Sequence, residues 1–275
     1  NDAGTSNTIF GKNAGASLDA GSNQNVFIGE NVSDAAMNDA GENTGVGYEA
    51  LSALTTGDEN TAIGRGAGAA ITTGGLNTAV GKYALNNVNT GGNNVAVGRN
   101  SGAAITTSSG SVFIGKDAGA LSVTGNQNIG IGLTALGGAA TTGDNNIAIG
   151  ANAGDALTSA TNDVLIGKSA GGALNVGGDN IAIGLNALGA ATNTGGVVAI
   201  GFEAGSSINS NDANLSVLIG YNAGDAITDG SLNVGIGYNA LGSNVSGDKN
   251  VAIGYQAGED YNPTANFGNC VFVGH

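Results

Sequence analysis

The sequence predicts an all-β fold: a parallel β-roll, or β-solenoid, of about 16 coils with a repeat of about 17 residues. Two observations lead to this fold class. A short phrase of four residues recurs along the whole chain at a nearly fixed spacing. Its first residue is β-branched, its second is variable, its third is usually Ile or Val, and its fourth is Gly. Such recurrence is typical of stacked-repeat proteins. No stretch has the apolar spacing and capping residues of an amphipathic helix.

Each phrase ends in a glycine, here called the marker glycine, from which positions within a repeat are numbered. The marker glycines are Gly11, Gly29, Gly47, Gly64, Gly81, Gly98, Gly115, Gly132, Gly150, Gly167, Gly184, Gly201, Gly220, Gly237, Gly254 and Gly274. Their separations run from 17 to 20 residues, and ten of the fifteen are 17. Because each repeat packs mainly on its neighbours, chain length counts repeats rather than domains.

The three residues before each marker glycine predict a short strand. Position −3 is Thr, Val or Ile, and position −1 is Ile or Val in 15 of the 16 repeats, Phe10 being the exception. Side chains two residues apart share one face of a strand, so we expect positions −3 and −1 to fill one core as stacked ladders. Position −2 is also apolar, so the other face must be covered too, and packing of several chains is the natural cover.

Position −2 also varies in size in a regular way. Phe113, Leu165 and Leu218 are each followed one repeat later by Gly or Ala, and those later repeats have Ala-Leu after the marker where most others have Ala-Gly. Large residues next to small ones in adjacent layers are what close packing requires. The alternation therefore predicts that position −2 is buried.

Position −4 is Asn in eleven repeats. Stacked Asn side chains can hydrogen-bond along a ladder of strands. All insertions fall between the Ala-Gly or Ala-Leu step and this Asn, so that stretch is predicted to be an exposed loop. A hexapeptide helix and a calcium-bound roll do not fit the spacing, because neither an apolar residue every six positions nor a glycine-rich nonapeptide recurs. The expected coil has two short strands.

The repeats resemble the head repeats of YadA-like trimeric autotransporter adhesins, and similar repeats occur in phage tail fibres. The phrases that carry the resemblance are NIAIG at 146–150, NIAIG at 180–184 and NVAIG at 250–254, each followed two residues later by Ala. The resemblance covers about residues 7 to 274. It implies a left-handed roll and a homotrimer about a common axis. The repeat is longer than is usual in that family, and the sequence contains no neck, stalk or membrane anchor, which leaves the bacterial and phage alternatives open.

The resemblance implies a structural and adhesive segment of an extracellular fibre, at a cell surface or in a virion tail. Its partners would be further copies of itself and an unknown surface receptor, glycan or matrix protein. A phage tail fibre or receptor-binding shaft is one alternative. An ice-binding solenoid is another, suggested by the pairs Thr55-Thr56, Thr72-Thr73, Thr106-Thr107 and Thr141-Thr142. These pairs lie in loops and lapse after Thr142, which argues against ice binding.

Composition excludes other classes of partner. The chain has 21 acidic and 7 basic residues, a net charge of −14, so nucleic acid is not an expected partner. No run of about 18 apolar residues predicts a membrane span, and the single Cys270 cannot form an internal disulfide. We expect a piece of a longer protein, with residues 1–258 forming the repeat region. Residues 259–275, which contain Tyr261, Pro263 and Phe267, are expected to be an atypical last repeat and a junction to a following domain.

The residue directly after the marker glycine, position +1, is the candidate contact site, and its column is here called the contact stripe. Six of the seven basic residues occupy it, and aromatic residues follow towards the C-terminus. The candidates are Lys12, Arg65, Lys82, Arg99, Lys116, Lys168, Phe202, Tyr221, Tyr238 and Tyr255. Aromatic and Arg side chains are enriched at recognition surfaces. The alternative is that these long side chains cover the seam between chains, with the basic ones paired to Glu49, Asp117 or Glu203.

No catalytic, cofactor-binding or metal-binding residue is predicted, and no enzyme is expected. The only His is His275, and no nucleophile, base and acid can be assembled with it. The adjacent carboxylates Asp58-Glu59 and Glu259-Asp260 are expected to lie in loops. The loop residues Asp58, Asp144, Asp179 and Asp248 could bind Ca²⁺ weakly, but one carboxylate per repeat is sparse for that ion, and turn formation is the favoured explanation.

Overall fold

A computed structural model describes residues 5–209, 215–263 and 268–274, and within these ranges the chain is all-β, without a helix. It divides into two compact units, Asn1–Thr142 and Gly143–His275. Each unit is a parallel β-solenoid with a spacing of about 17 residues between strands, which confirms the predicted fold class at this level.

The first unit has eight strands in the part of it that the structure describes. They are β1 Thr8–Phe10, β2 Val26–Ile28, β3 Thr44–Val46, β4 Thr61–Ile63, β5 Thr78–Val80, β6 Val95–Val97, β7 Val112–Ile114 and β8 Ile129–Ile131. Each strand pairs in parallel with the next one in sequence, and the register places equivalent positions side by side, as Ala79 beside Ala96. One coil of the chain therefore separates neighbouring strands.

The second unit has ten strands among its described residues. They are β9 Ile147–Ile149, β10 Val164–Ile166, β11 Val176–Gly178, β12 Ile181–Ile183, β13 Asn193–Gly195, β14 Val198–Ile200, β15 Val217–Ile219, β16 Val234–Ile236, β17 Val251–Ile253 and β18 Val271–Val273. Eight of them form a ladder with one strand per coil, whereas β11 and β13 pair with each other in a separate two-stranded sheet.

The middle residue of the strands that precede the marker glycines, position −2, points into the coil. In β5, Ala79 is buried while Thr78 and Val80 are half-buried, and the interior strands of both units share this pattern of a buried middle residue. The expectation that −3 and −1 fill the core is therefore wrong. Because each strand has only three residues, the interior of the coil is narrow. It accommodates one column of side chains, mostly Gly and Ala, and the two β-branched columns face outward.

The predicted alternation of sizes in position −2 is confirmed. Phe113 is fully buried, and a Cβ added to Gly130 in the next coil would lie 2.9 Å from its Cδ1. The core is completed by the buried Ala at +3 and by Leu or Ile at +4 or +7, such as Leu85 and Ile105. Leu85 fills this space although its φ is 47°, a left-handed backbone that disfavours branched side chains.

The Asn column at −4 forms the predicted ladder. Asn60 Nδ2 donates to Asn43 Oδ1 at 3.1 Å, and the Asn60 backbone N–H donates to the same oxygen at 2.9 Å. Asn60 Nδ2 also donates to the Gly74 carbonyl at 3.0 Å. The side chain thereby joins three successive coils. Such buried polar groups stabilise a fold only when their hydrogen bonds are made.

The marker glycines lie where successive coils approach most closely. At Gly98 the φ is +135°, and a Cβ would lie 2.4 Å from the carbonyl oxygen of Gly115 in the next coil. No side chain fits in that space, and the backbone angle itself favours glycine. The most regular residue of the sequence is thus fixed by contact between backbones.

On the side of the coil opposite the strand ladder, backbone hydrogen bonds join successive coils. In most coils this side does not form a second strand. The Thr55 N–H donates to the Thr72 carbonyl at 3.0 Å, and the Thr72 N–H donates to the Asn89 carbonyl at 3.0 Å. Among the described residues, the prediction of two strands per coil holds only at β11 and β13. Elsewhere backbone hydrogen bonds join this side of successive coils without a second strand.

In the last repeat, β18 pairs with β17 in register although the interval is 20 residues. Cys270 takes the place of Asn at −4, and its N–H donates to Asn250 Oδ1 at 3.2 Å. The Tyr261 and Phe272 rings lie 5.0 Å apart. Phe267 and His275 lie outside the described residues, and a junction to a following domain stays a prediction.

Candidate functional site

The contact stripe is aligned by the backbone. In most coils the carbonyl of the +1 residue accepts a hydrogen bond from the N–H of the +2 residue one coil later. Asp117 N–H donates to Arg99 in the first unit at 2.9 Å, and Asn239 N–H donates to Tyr221 in the second at 2.8 Å. Side chains of successive coils are therefore spaced by about 4.8 Å, the distance between hydrogen-bonded strands. The same backbone arrangement carries basic residues in one unit and aromatic residues in the other.

The basic part of the stripe lies in the first unit. Arg65, Lys82, Arg99 and Lys116 follow one another in consecutive coils, and all are exposed. Arg99 and Lys116 share one carboxylate, that of Asp117, at 3.4 and 3.6 Å.

The other two members of this run contact aromatic rings. The Arg65 guanidinium lies 5.4 Å from the centre of the Tyr48 ring and 6.0 Å from that of Tyr83. Lys82 Nζ lies 5.0 Å from the centre of the Tyr83 ring. These are cation–π distances. Neither cation is within ion-pair distance of a carboxylate in the described part of the chain.

Of the two remaining basic candidates, Lys12 forms an ion pair with Glu30 at 3.1 Å, and Lys168 is exposed in the second unit. Glu49, expected to pair with a basic residue, is instead hydrogen-bonded to the Tyr48 hydroxyl. That bond and the charge of the Glu49 carboxylate raise the pKa of Tyr48.

The aromatic part of the stripe is a continuous stack in the second unit. The ring centres of Phe202 and Tyr221 are 4.7 Å apart, those of Tyr221 and Tyr238 are 5.3 Å apart, and those of Tyr238 and Tyr255 are 5.1 Å apart, each pair inclined by 10°. The side chains are 36–50% exposed. Because the interior ring faces cover one another, the stack presents edges and hydroxyl groups to its surroundings.

Sequence reasoning missed several members of this surface. Tyr48, Leu133 and Leu185 also occupy position +1 and are exposed, and Tyr83, at position +2, contacts two of the basic side chains. Reading position +1 in every repeat, rather than only where it is basic or lies in the C-terminal aromatic run, would have found the first three. Tyr83 needed the structure, because its φ of 60° turns it back beside the stripe.

A second candidate surface is the outer face of each strand ladder, here called the outer face, formed by positions −3 and −1. Its side chains are half-buried or exposed, and Ile63 and Ile253 are each 42% exposed. With eight strands spaced by about 4.8 Å, the outer face of each unit is roughly 34 Å long. Continuous apolar surface of this extent is typical of an interaction site.

The loop carboxylates mostly hold neighbouring coils together. Asp58 Oδ1 accepts the Gly41 N–H at 2.7 Å, and Asp248 Oδ1 accepts the Ser231 N–H at 2.7 Å. The pair Asp58-Glu59 lines a depression of about 280 Å³, and Glu259-Asp260 lines one of about 530 Å³.

Within the described ranges, no three His, Cys, Asp or Glu side chains are grouped to hold a metal ion. The described residues also contain no helix that is long and apolar enough to cross a membrane.

One carboxylate is buried in the Asn column. Asp163 stands at −4, where its Oδ1 accepts the Asn180 N–H and Nδ2 at 2.9 Å each. Its Oδ2 is buried and has no hydrogen-bond partner. Burial raises the pKa of Asp163 from the ordinary 3.8 to about 6, although the bonds from Asn180 oppose the shift.

Comparison with known proteins adds no name to these surfaces. No protein-family model matches the chain, and no curated protein sequence matches it either.

Proposed function

We propose that the chain is a structural and adhesive segment of an extracellular trimeric fibre, without enzymatic activity, which mediates attachment to a surface or host. In this proposal the coils are left-handed and three chains pack about a common axis through their outer faces. A bacterial adhesin and a phage tail fibre, or its receptor-binding shaft, would use the chain in the same way.

The observation that carries the proposal is the uncovered outer face. Positions −3 and −1 are Val, Ile or Thr in nearly every repeat, yet the single chain leaves them half-buried or exposed. A strand with apolar residues on both faces is normally covered on both. The number of chains, three, comes from the resemblance of the repeats to YadA-like head repeats.

The threonines of the loops do not favour the ice-binding alternative. The pairs lapse after Thr142, although the single residues Thr158 and Thr228 hold the position of Thr55 in later coils. However, the Oγ1 of Thr55 donates to the Thr72 carbonyl at 3.0 Å, and that of Thr158 donates to the Asn175 carbonyl at 3.1 Å. The donors of these hydroxyl groups are therefore already used in bonds to the next coil.

The proposal is tested by the native mass of the chain and of two matched variants. We expect the wild-type protein to have three times the 26.3 kDa chain mass. Ile63→Glu/Ile253→Glu places a charge on the outer face of each unit and should shift the mass to that of one chain, because burying an unpaired carboxylate at an interface is costly.

The control variant is Leu76→Glu/Leu232→Glu. These leucines are 52% and 44% exposed, close to the 42% of the two isoleucines, but they lie on the loop side. Glu59 already occupies the position of Leu76 one coil earlier with a similar φ. The control should remain a trimer. A stable wild-type monomer would refute the trimer, and measurable thermal hysteresis near freezing by such a monomer would favour ice binding instead.

A further inference from the structure

The charges of the chain are segregated along its length. Between Glu59 and Asp117 there is no acidic residue, whereas Arg65, Lys82, Arg99 and Lys116 all lie there. Residues 60–116 therefore carry a formal charge of +4, in a chain whose total is −14. This segment is here called the basic band.

The fold converts the basic band into a straight line of cations. Its four basic residues occupy the same position in consecutive coils, and the backbone bonds of the stripe hold them in register at 2.9 Å, as between Tyr83 N–H and the Arg65 carbonyl. Four positions about 4.8 Å apart span about 15 Å. An extended polymer with regularly spaced acid groups is the ligand that such a line matches.

The line is not neutralised by its own surroundings. Asp117 is the one carboxylate of the described residues within ion-pair distance of it, and it is shared by Arg99 and Lys116. The side chains of these two residues are 51% and 56% exposed. Aligned like charges repel one another, and a partner bearing the opposite charge removes that repulsion.

We propose that the basic band binds an acidic polysaccharide, a linear chain of sugars bearing carboxylate or sulfate groups, laid along the stripe. Arg65 and Arg99 can each offer a bidentate donor set to an acid group, and Lys82 and Lys116 offer point charges between and beyond them. The inference deepens the attachment role and rests on that part of the proposed function, for which it names a ligand class.

Single-stranded nucleic acid fits the band less well. Such ligands use aromatic side chains as stacking platforms for bases, and the rings here, Tyr48 and Tyr83, have Arg65 and Lys82 against them at 5.0–6.0 Å. The acidic segments on either side also disfavour a long polyanion that continues beyond the band. A short, hydroxyl-rich acidic sugar chain requires neither a free ring nor a longer basic track.

The experiment measures binding of three fluorescent probes to the full chain: a polyuronate oligosaccharide, a sulfated oligosaccharide and a neutral dextran of equal length. We expect one or both acidic probes to bind, with an affinity that falls as salt is raised from about 0.05 to about 0.5 M because screening weakens the contacts. Dextran should not bind. The better of the two acidic probes identifies carboxylate or sulfate as the acid group.

Two variants of equal charge locate the site. Lys82→Gln/Arg99→Gln removes two charges from the basic band and should raise the apparent Kd about tenfold or more, because charge-assisted bonds are lost. Lys249→Glu lowers the net charge by the same two units at a position outside the contact stripe, where Glu59 of an earlier coil has a similar φ, and it should leave the Kd within about twofold. Thermal melting of both variants verifies that the fold is intact.

Three results would overturn the proposal: no binding of either acidic probe, equal weakening by both variants, or equally tight binding of a single-stranded oligonucleotide of matched charge. The native mass of the same samples separates this inference from the proposed function. A trimer that binds no acidic sugar would refute only the ligand, and a monomer that binds it would refute only the trimer.

Discussion

The contact stripe has the same backbone in both units but opposite side-chain chemistry. In the first unit Arg65 to Lys116 place like charges in consecutive coils, and in the second unit Phe202 to Tyr255 place rings there. The repeat spacing brings cations close enough to repel one another by up to about 1 kcal/mol per adjacent pair in water. The same spacing brings rings to 4.7–5.3 Å, at which stacking is favourable.

The difference separates what the column does for stability from what it does for binding. The aromatic stack contributes to the stability of its own unit, so its presence needs no ligand. The basic run places like charges side by side in four consecutive coils without a matching set of carboxylates. A functional explanation is therefore needed for the basic part and not for the aromatic part.

The largest expected effect tests whether the two units share one framework. Gly98→Ala and Gly220→Ala should each destabilise the chain by about 3 kcal/mol or more, because the added Cβ would lie 2.4 and 2.2 Å from a carbonyl oxygen of the next coil and the backbone angle is strained. Denaturant midpoints measure the loss. The control is Gly195→Ala, whose Cβ would have 3.4 Å to its nearest neighbour. Unequal losses in the two units would show that their backbones are not equivalent.

A smaller effect distinguishes the Asn column of the second unit, where Asp163 replaces Asn. Its pKa is raised to about 6, so the folded state keeps a proton that the unfolded state loses. Stability should therefore fall as pH rises from about 4 to about 6, by about 3 kcal/mol in total. Asp163→Asn should remove this loss of stability, and it supplies the side-chain amide N–H donors that the other members of the Asn column have and Asp163 lacks.

The measurement for Asp163 is the difference in melting temperature between wild type and Asp163→Asn at about pH 4 and about pH 8. The variant should gain much more at the higher pH, since only there is the buried carboxylate charged. Asp58→Asn, at an exposed position of the first unit, serves as the control for general charge effects. An equal gain at both pH values would contradict the assignment.

The smallest effect concerns the stripe itself. Tyr238→Ala removes a ring that stacks on two neighbouring rings, at 5.3 and 5.1 Å. The loss of both contacts should lower the free energy of unfolding by about 1–3 kcal/mol. Tyr238→Phe should cost much less because it keeps the rings in contact. Lys82→Gln, in the basic part, should change stability by less than about 0.5 kcal/mol. A large loss with Lys82→Gln would mean that the basic run is structural after all.

The repeat, the strand positions, the Asn ladder and the size alternation at position −2 were predictable because each leaves a periodic mark in the sequence. The inward and outward faces were not. In a three-residue strand with apolar residues on both faces, alternation gives two equivalent solutions, so spacing alone does not decide which columns fill the coil of a single chain. The prevalence of Gly and Ala at position −2, as in Gly45 and Ala62, was the signal for a narrow interior.

For the candidate site, the sequence predicted the stripe but not its contacts. The spacing of Phe202, Tyr221, Tyr238 and Tyr255 indicates a column, while their parallel stacking depends on side-chain rotation that spacing alone does not determine. The contact of Tyr83 with Arg65 and Lys82 likewise depends on side-chain rotation, because the left-handed backbone of Tyr83 is shared by position +2 of other repeats, such as Asn100 and Asn152.

The contacts of the marker glycines make the coil a modular building block. Each coil offers its neighbours nearly the same glycine backbone and the same Asn side chain above and below, so whole blocks are interchangeable where single residues are not. Removing residues 78–94, for example, would join Asn77 to Val95 and recreate the step found at Asn94 and Val95. Unequal recombination between such similar repeats would therefore change the length of the protein, and with it the reach of any attachment site, without disturbing the register of the remaining coils.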